Sequence, residues 1–158
     1  MITLVEAHSG DLDAVMTIMT AAFDEQYGEA WTRSQCAGIL PMQGVKLILA
    51  DDAEDQEDSR PRGFSLFRII AGDAELLLLA VSPEAQGRGI GRLLLNQFID
   101  EAKKNRASRI HLEVREGNRA IQLYRSAGFA PAGRRRNYYR GANGKQHDAL
   151  TFVLNVNT

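Results

Sequence analysis

A short apolar run that leads into a glycine-rich turn constrains the fold more than any other stretch of the sequence. Residues 76 to 81 read Leu-Leu-Leu-Leu-Ala-Val, and Pro83 follows two positions later. A run of this length between turn signals is typical of a strand that is buried on both faces of a sheet. Three leucines at positions 93 to 95 then begin an amphipathic pattern. The stretch predicts a strand, a tight turn and a helix in direct succession.

Three glycines at alternate positions, Gly87, Gly89 and Gly91, occupy the turn. They remove Cβ atoms where backbone N–H groups can turn toward one ligand. The helix that follows adds unpaired N–H groups and the positive end of its dipole. The turn therefore predicts a site for a phosphate or pyrophosphate, with a tight turn that binds no ligand as the alternative. A Walker loop does not fit because Gly-Lys-Ser/Thr is absent, and a dinucleotide fingerprint does not fit because the third glycine stands one position early.

The composition is that of an ordinary globular protein. The chain has 158 residues, of which 44% are hydrophobic and 25% charged, and we expect one domain over residues 1–158. No apolar run approaches the roughly 18 residues that span a membrane, and residues 1–6 lack the basic start of a signal peptide. The net charge of −1 argues against nucleic-acid binding. These features predict a cytoplasmic protein that binds neither membranes nor nucleic acid.

Cysteine and histidine do not form the spacing of a metal centre. Cys36 is the only cysteine, so an intrachain disulfide is not possible, and we interpret it as a small buried apolar residue. His8 and His111 lack further ligands at fixed spacing, so we expect no metal. We interpret His111 as packed or solvated, with a proton relay as the alternative.

Alternating strands and helices predict a mixed α/β sheet that is covered on both faces. Tyr27 and Trp31, in the break after the first helix, are interpreted either as a cleft wall or as core. The predicted strands are 3–7, 45–50, 64–70, 74–81, 109–114, one that starts at 129, and 149–156. Four helices are predicted. The first is capped by Ser9 or Asp11 and has apolar positions from Leu12 to Phe23, and the second covers 33–40. The third runs from the glycine turn to 102, and the fourth covers 118–127 and is ended by Gly128.

Charge is concentrated in two segments. Residues 51–58 are acidic and polar, and residues 134–140 are basic. We interpret the acidic segment as a solvated loop, because it cannot bury enough apolar surface to order itself. The alternative is an acidic patch that binds a basic substrate.

The glycine turn resembles the acetyl-CoA pyrophosphate loop of the GNAT acetyltransferase superfamily. The shared features are Gln86-x-x-Gly89-x-Gly91 and the preceding Ala-Val-Ser-Pro at residues 80 to 83. The resemblance implies the single-domain GNAT (acyl-CoA N-acyltransferase) fold, an α/β fold with a mixed, mostly antiparallel central sheet and helices on both faces. It also implies acetyl-CoA as the co-substrate. The residues that it assigns to acetyl-CoA are Gln86, Gly87, Arg88, Gly89, Ile90 and Gly91 for the pyrophosphate, and Leu79, Ala80 and Val81 for the thioester carbonyl and the pantetheine arm.

Residues 112 to 129 look like the equivalent stretch of the RimI-type acetyltransferases. The stretch begins Leu-Glu-Val-Arg and ends Ser-Ala-Gly-Phe. Acetylation of an amine needs a base to accept a proton, and the departing thiolate benefits from a proton donor. The resemblance implies that Glu113 is the general base and Tyr124 the general acid, and that Asn118 contacts the cofactor arm or caps the helix. The interval from Glu113 to Tyr124 is one residue shorter than is usual in the family.

The basic segment and the last strand extend the same similarity. Arg-Arg-Asn-Tyr-Tyr at residues 135 to 139 resembles the stretch that forms part of the peptide-binding wall in these acetyltransferases. Asp-Ala at 148 and 149 resembles the start of their last strand. The resemblance implies that Arg136, Tyr138, Tyr139 and Asp148 bind the substrate, the tyrosines by clamping a peptide backbone and Asp148 by meeting an α-ammonium. The alternative is a charged hairpin whose tyrosines pack on the sheet. His147 stands where an acidic residue is usual, and residues 24–62 depart from the family pattern.

The resemblance therefore predicts an enzyme that transfers an acetyl group from acetyl-CoA to a primary amine by direct attack in a ternary complex. The acceptor that it implies is a protein N-terminus, such as the N-terminal alanine of a ribosomal protein. One alternative is the acetylation of a small amine, namely a polyamine, an aminoglycoside or an amino acid. Another is a CoA-binding sensor without catalysis. Both a monomer and a homodimer remain open.

Overall fold

A mixed sheet forms the centre of the molecule, whose computed structural model describes residues 1–52 and 60–156. The strands are β1 (Ile2–Ala7), β2 (Val45–Asp52), β3 (Arg60–Ile70), β4 (Asp73–Val81), β5 (Arg109–Arg115), β6 (Phe129–Arg140) and β7 (Gln146–Leu154). Their order in the sheet is β1-β2-β3-β4-β5-β7-β6, and every neighbouring pair is antiparallel except β4 and β5. The predicted mixed, mostly antiparallel sheet is confirmed.

Four α-helices in the described part of the chain cover the two faces of this sheet. They are α1 (Leu12–Ala22), α2 (Arg33–Ile39), α3 (Ile90–Lys104) and α4 (Ile121–Ser126), with 3-10 turns at Ser9–Asp11, Glu25–Tyr27 and Pro83–Ala85. α1 and α2 pack on one face through residues such as Met19 and Cys36. α3 packs on the other face through Leu94 and Phe98. Cys36 is 2% exposed, and burial raises the pKa of its thiol, which confirms the prediction of a buried apolar residue.

Strand β4 departs from the prediction of a strand buried on both faces. Its side chains alternate between buried and half-buried, and residues 75 to 81 line a cavity. Leu66 lies opposite Leu78 but Phe67 lies opposite Leu76, so Leu77 is the extra residue of a β-bulge. Pairing between β4 and β5 also ends at Leu76. Within the described residues, the rest of β4 thus has no strand partner on that side, and the cavity occupies this gap.

The starts of two helices differ from the predictions in the local hydrogen bonds that define them. α4 begins at Ile121 instead of near residue 118, since a turn closed by the Ile121 N–H and the Asn118 carbonyl (3.2 Å) precedes it. Gly128, with φ of +101°, follows the helix as predicted. Asp11 is the N-cap residue of α1, as one predicted alternative had it, but its side chain makes no cap hydrogen bond there. His8 caps the preceding 3-10 turn, where its Nδ1 accepts a hydrogen bond from the Gly10 N–H at 3.1 Å.

The acidic segment lies mostly outside the described residues, since β2 ends at Asp52 and β3 begins at Arg60, earlier than predicted. β6 is longer than its predicted start suggested and runs to Arg140. Among the residues that the structure describes, no helix is long and apolar enough to cross a membrane.

Candidate active site

A cavity of about 770 Å³ lies where β4 and β5 separate. Its lining runs from the glycine turn, along the unpaired edge of β4, to aromatic side chains before α2 and on β6. Tyr27 and Trp31 belong to this lining, which confirms the interpretation as a cleft wall. The predicted site residues in the lining are Leu79, Ala80, Val81, Gln86, Gly87, Gly89, Gly91, Glu113, Asn118, Tyr124, Tyr138 and Tyr139. The predicted site residues outside it are Arg88, Ile90, Arg136 and Asp148.

The glycine turn forms a cradle with room for an anion. Gly87 and Gly89 have φ of +82° and +83°, a left-handed conformation that favours glycine. A Cβ atom at either position would meet no atom within 4 Å, so the backbone there faces open space. Gly89 is the N-cap residue of α3, whose first amides have no acceptor within the helix. The cradle therefore fits phosphate groups, because backbone donors and the helix dipole meet beside open space.

The side chains of the glycine turn stabilise the cradle. Gln86 Nε2 donates to the Val81 carbonyl oxygen at 3.2 Å, which ties the turn to the end of β4. Arg88 Nη2 donates to Asp52 Oδ2 at 3.1 Å, outside the cavity lining. Ile90 is 1% exposed and packs in the core, so only its backbone is available to a ligand.

The far end of the cavity carries three half-buried carboxylates, Glu29, Glu75 and Glu113, and we call it the carboxylate end. Sequence patterns indicated only Glu113. Arg135 Nε donates to Glu113 Oε1 at 3.0 Å, and the Thr151 hydroxyl donates to Oε2 at 2.8 Å. Both oxygens of Glu113 thus have a partner on β6 or β7.

Tyr124 lies against the carboxylate end with its hydroxyl protonated. Its side chain is 6% exposed, and its ring packs edge-on against Phe129, with centroids 6.1 Å apart. Burial, and then the charge of Glu29, raise the pKa of the Tyr124 hydroxyl well above its usual value. The same two causes, in the same order, raise the pKa of Tyr139. Both phenols hold a proton at neutral pH and have the chemistry of a proton donor.

Glu29, which no sequence pattern indicated, ties the segment before α2 to the cavity wall. Its Oε1 accepts a hydrogen bond from Asn118 Nδ2 at 2.8 Å and lies 3.1 Å from Arg115 Nε. The side chains of Glu29 and Arg115 are 9% and 12% exposed. The Arg115 guanidinium also stacks over the Tyr27 ring, 3.6 Å from its centroid. No sequence pattern indicates the contact between Glu29 and Asn118, because the two residues stand 89 positions apart along the chain.

Asn118 uses both ends of its amide within the protein. Its Oδ1 accepts a hydrogen bond from the Ala120 N–H at 2.8 Å, while its Nδ2 donates to Glu29. The first contact closes the turn before α4, whose N-cap residue is Ala120 and has no side-chain cap hydrogen bond. A contact with the cofactor arm stays a prediction.

The Glu29→Gln variant is expected to lower the free energy of unfolding by about 2 kcal/mol, because buried Arg115 loses its charge partner. Glutamine keeps an oxygen that accepts from Asn118, so that hydrogen bond survives. Urea unfolding measures the change. Glu25→Gln, on an exposed residue of the same segment, is the matched control. Equal urea midpoints for the two variants would contradict the prediction.

The hairpin of β6 and β7 engages the predicted substrate residue Asp148. The Asn137 N–H donates to Asp148 Oδ1 at 2.9 Å, and Arg134 Nη1 donates to Oδ2 at 2.8 Å. These two hydrogen bonds, in that order, lower the pKa of Asp148. Asp148 lies opposite the irregular register between β6 and β7 and outside the cavity lining. That Asp148 meets an α-ammonium stays a prediction.

The two tyrosines of the hairpin reach the cavity, whereas Arg136 does not. Tyr138 is 51% exposed and meets Tyr139 edge-on, with ring centroids 5.0 Å apart. The neighbouring His147 packs edge-on against Tyr27 at 5.3 Å. The hairpin and the segment before α2 therefore close the carboxylate end together. A role of Arg136 in substrate binding stays a prediction.

His111 is packed, as one of its two interpretations had it. It is 8% exposed, and its Nε2 lies 2.9 and 3.1 Å from the two carboxylate oxygens of Asp73. Over residues 1–52 and 60–156, no group of three or more His, Cys, Asp or Glu side chains is placed to hold a metal ion.

The fold and the cavity together provide a cleft whose glycine turn fits a phosphorylated ligand. The sequence matches the family described as "Acetyltransferase (GNAT) family" over residues 12–129. Because this match spans more than half of the chain, the chain belongs to the GNAT acetyltransferases. It is an acetyl-CoA-dependent N-acetyltransferase.

Curated relatives carry a more specific name. A protein of Salmonella typhimurium named [Ribosomal protein bS18]-alanine N-acetyltransferase is 41% identical over 100 residues, which are 63% of this chain and 67% of the relative. A protein of Escherichia coli K12 with the same name is 38% identical over 101 residues, 63% and 68% of the two chains.

Solved structures agree on the fold. The crystal structure of the ribosomal-protein-S18-alanine N-acetyltransferase from Escherichia coli superposes with a TM-score of 0.84 at 30% identity, over 100% of this chain and 96% of the other. Arabidopsis thaliana NAA60 in complex with acetyl-CoA superposes with a TM-score of 0.86 over 100% of both chains. At 19% identity, the second likeness shows the fold alone.

Proposed function

We propose that this enzyme acetylates the α-amine of a protein N-terminus that begins with alanine, with ribosomal protein bS18 as the leading candidate. The observation that carries the proposal is one cavity that joins a phosphate cradle at one end to carboxylates and phenols at the other. An amine acceptor needs such an end, because it must lose protons as it is acylated. The names of the relatives that match over two thirds of their length support the choice of acceptor.

The cradle and the edge of β4 divide the binding of acetyl-CoA between them. Backbone N–H groups of Gln86 to Gly91 hold the pyrophosphate, and the unpaired edge of β4 at Leu79, Ala80 and Val81 holds the pantetheine arm and the thioester carbonyl. When bound, acetyl-CoA supplies an acetyl group that is already activated as a thioester. No nucleophile of the chain is needed to form a covalent intermediate, and buried Cys36 packs with α1 and the strands instead.

At the carboxylate end, the chain supplies a proton acceptor and a proton donor. Glu113 accepts the proton of the incoming amine, held in place by Arg135 and Thr151. Tyr124 holds a proton on its hydroxyl for the leaving group, because burial keeps the phenol neutral. Tyr138 and Tyr139, at the mouth of this end, hold the peptide backbone.

Thiol release from acetyl-CoA tests the proposal. The acceptors are a peptide with the first residues of bS18, the same peptide with an acetylated N-terminus, and spermidine. We expect release with the free peptide alone, and mass spectrometry places the acetyl group on its α-amine. Release with spermidine alone would indicate a small amine as the acceptor. This alternative is tested because the lining of the cavity is acidic. Binding of acetyl-CoA without release with any amine would favour a sensor.

The Glu113→Gln variant is expected to lower kcat by about tenfold and to change the pH profile of the rate, because an amide cannot accept the proton. Steady-state rates from pH 5 to 9, with the bS18 peptide as acceptor, measure both effects. A variant with a lower rate but an unchanged pH profile would exclude Glu113 as a base.

A further inference from the structure

We propose that Asp148 is a positioning residue, whose carboxylate holds a bulge of β6 in the backbone conformation that brings Tyr138 and Tyr139 to the cavity together. The inference rests on the proposed function, in which these two tyrosines hold the peptide backbone, and it adds the residue that orients them. In this role Asp148 acts through the backbone of β6 and does not touch the acceptor amine.

Tyr138 and Tyr139 have an orientation that a regular strand does not allow. Successive side chains of a strand point to opposite faces of the sheet. The two tyrosines are neighbours on β6, yet both line the cavity. Their rings meet edge-on, with centroids 5.0 Å apart. The alternation of side chains along β6 must therefore be interrupted close to this pair.

A bulge between β6 and β7 provides the interruption. Between two regular pairs of the ladder, β6 has residues 136–138 whereas β7 has Asp148 alone. Extra residues on one strand bend that strand and redirect its side chains. Because Tyr138 belongs to the bulge and Tyr139 is the first residue after it, the bulge determines where both rings point.

The bulge depends on an uncommon backbone conformation at Asn137. Its φ is +54°, in the left-handed region that side chains other than glycine adopt only at a cost in energy. Asp148 Oδ1 accepts a hydrogen bond from the Asn137 N–H at 2.9 Å. A hydrogen bond to an ionised acceptor is roughly twice as strong as one between neutral groups. The carboxylate therefore offsets the cost of this conformation at the residue that needs it.

The carboxylate of Asp148 is itself fixed by the protein. Arg134 Nη1 donates to its Oδ2 at 2.8 Å, and the same guanidinium donates to both carboxylate oxygens of Glu116. The Glu116 N–H donates to the Asp148 carbonyl oxygen at 3.0 Å, which ties the residue to the end of β5. The hydrogen bonds from Asn137 and Arg134 lower the pKa of Asp148, so it is ionised at neutral pH. Asp148 thus forms a fixed, charged acceptor for the amide of Asn137.

The Asp148→Ala variant is expected to raise the KM for the bS18 peptide about tenfold and to leave the KM for acetyl-CoA unchanged. Without the carboxylate, Asn137 leaves the left-handed conformation and the two tyrosines no longer reach the cavity together, while the cradle lies at the other end of the cavity. Steady-state rates with each substrate varied in turn measure both constants. Asn143→Ala is the matched control: Asn143 Oδ1 accepts from the Lys145 N–H at 3.0 Å in the turn of the same hairpin, outside the bulge. We expect wild-type constants for this control.

The Asp148→Asn variant distinguishes positioning from direct contact with the substrate. Asparagine keeps an oxygen that accepts from the Asn137 N–H, and Arg134 keeps its hydrogen bonds to Glu116. We therefore expect this variant to stay within about threefold of the wild-type KM for the peptide, the remaining loss reflecting a neutral acceptor. A contact of Asp148 with the α-ammonium would need the charge. An equal rise of the peptide KM in Asp148→Asn and Asp148→Ala would therefore overturn the inference in favour of that contact.

Two further outcomes separate the possible failures. If the wild-type enzyme acetylates the peptide and Asp148→Ala has the wild-type KM for it, the inference is wrong while the proposed function stands. If the wild-type enzyme acetylates spermidine and not the peptide, the proposed function fails and the inference fails with it. Should Asp148→Ala not fold, Asn137→Val decides, because a β-branched residue avoids the left-handed conformation. A raised KM for the peptide alone then supports the inference, and a wild-type KM overturns it.

Discussion

The Gly89→Asp variant is expected to raise the KM for acetyl-CoA by about 100-fold, because a like charge beside bound phosphates costs several kcal/mol. Gly89 caps α3 in a left-handed conformation with φ of +83°, and a Cβ atom there would face open space. Aspartate is one of the few side chains that tolerate this conformation, so the fold survives the change. The carboxylate then occupies the cradle and opposes the dipole-assisted binding of the pyrophosphate. Initial rates and calorimetric titration with acetyl-CoA measure the loss.

Gly144→Asp is the matched control for this loss of binding. Gly144 has φ of +81° and also no atom within 4 Å of an added Cβ, but it lies in the turn between β6 and β7. The left-handed backbone conformation of the new aspartate destabilises both variants equally, by about 1 kcal/mol. The KM for acetyl-CoA is expected to stay at the wild-type value in the control. An equal rise in both variants would mean that the glycine turn does not bind the pyrophosphate.

The Tyr124→Phe variant is expected to lower kcat by about 100-fold while the thermal midpoint of unfolding stays close to that of the wild type. Within the described residues, the hydroxyl of Tyr124 makes no hydrogen bond that the fold depends on. Phenylalanine also preserves the edge-on contact with Phe129. Only the proton held for the leaving group is lost. Stopped-flow and steady-state rates with the bS18 peptide measure the effect.

Tyr139→Phe distinguishes half-buried Tyr139 from buried Tyr124, and Tyr138→Phe provides an exposed control. Tyr139 shares the raised pKa and the cavity position of Tyr124. We expect Tyr139→Phe to keep most of the wild-type kcat. A Tyr124→Phe variant within twofold of wild type, together with a large loss in Tyr139→Phe, would transfer the donor role to Tyr139.

The carboxylate end combines negative charge with tight internal pairing. Arg115 and Arg135, from β5 and β6, each hold one glutamate, so two of the three charges are compensated within the protein. The arrangement explains how a cavity that must bind an ammonium group can keep several carboxylates within reach of one another.

Local patterns predicted the parts of this enzyme that depend on neighbouring residues. The strand, glycine turn and helix between residues 74 and 104 follow from local spacing, since the left-handed φ angles of Gly87 and Gly89 favour glycine. The alternation of β5 predicted that Glu113 faces away from the core, as it does. Tyr124, which the resemblance and not a local pattern indicated, lies on α4 in the cavity lining.

Contacts between distant strands decided the rest. Glu75, Glu29, Arg135 and Thr151 enter the site through register and loop closure, and the bulge at Leu77 together with the early end of the β4–β5 pairing opens the cavity. The same cause pairs Asp148 with Asn137 and Arg134 of the hairpin. The sequence by itself determined the order of elements and the phosphate cradle, because both arise from residues within one or two turns of chain. Only the tertiary structure decided which charges are paired, because a carboxylate finds its partner across the sheet.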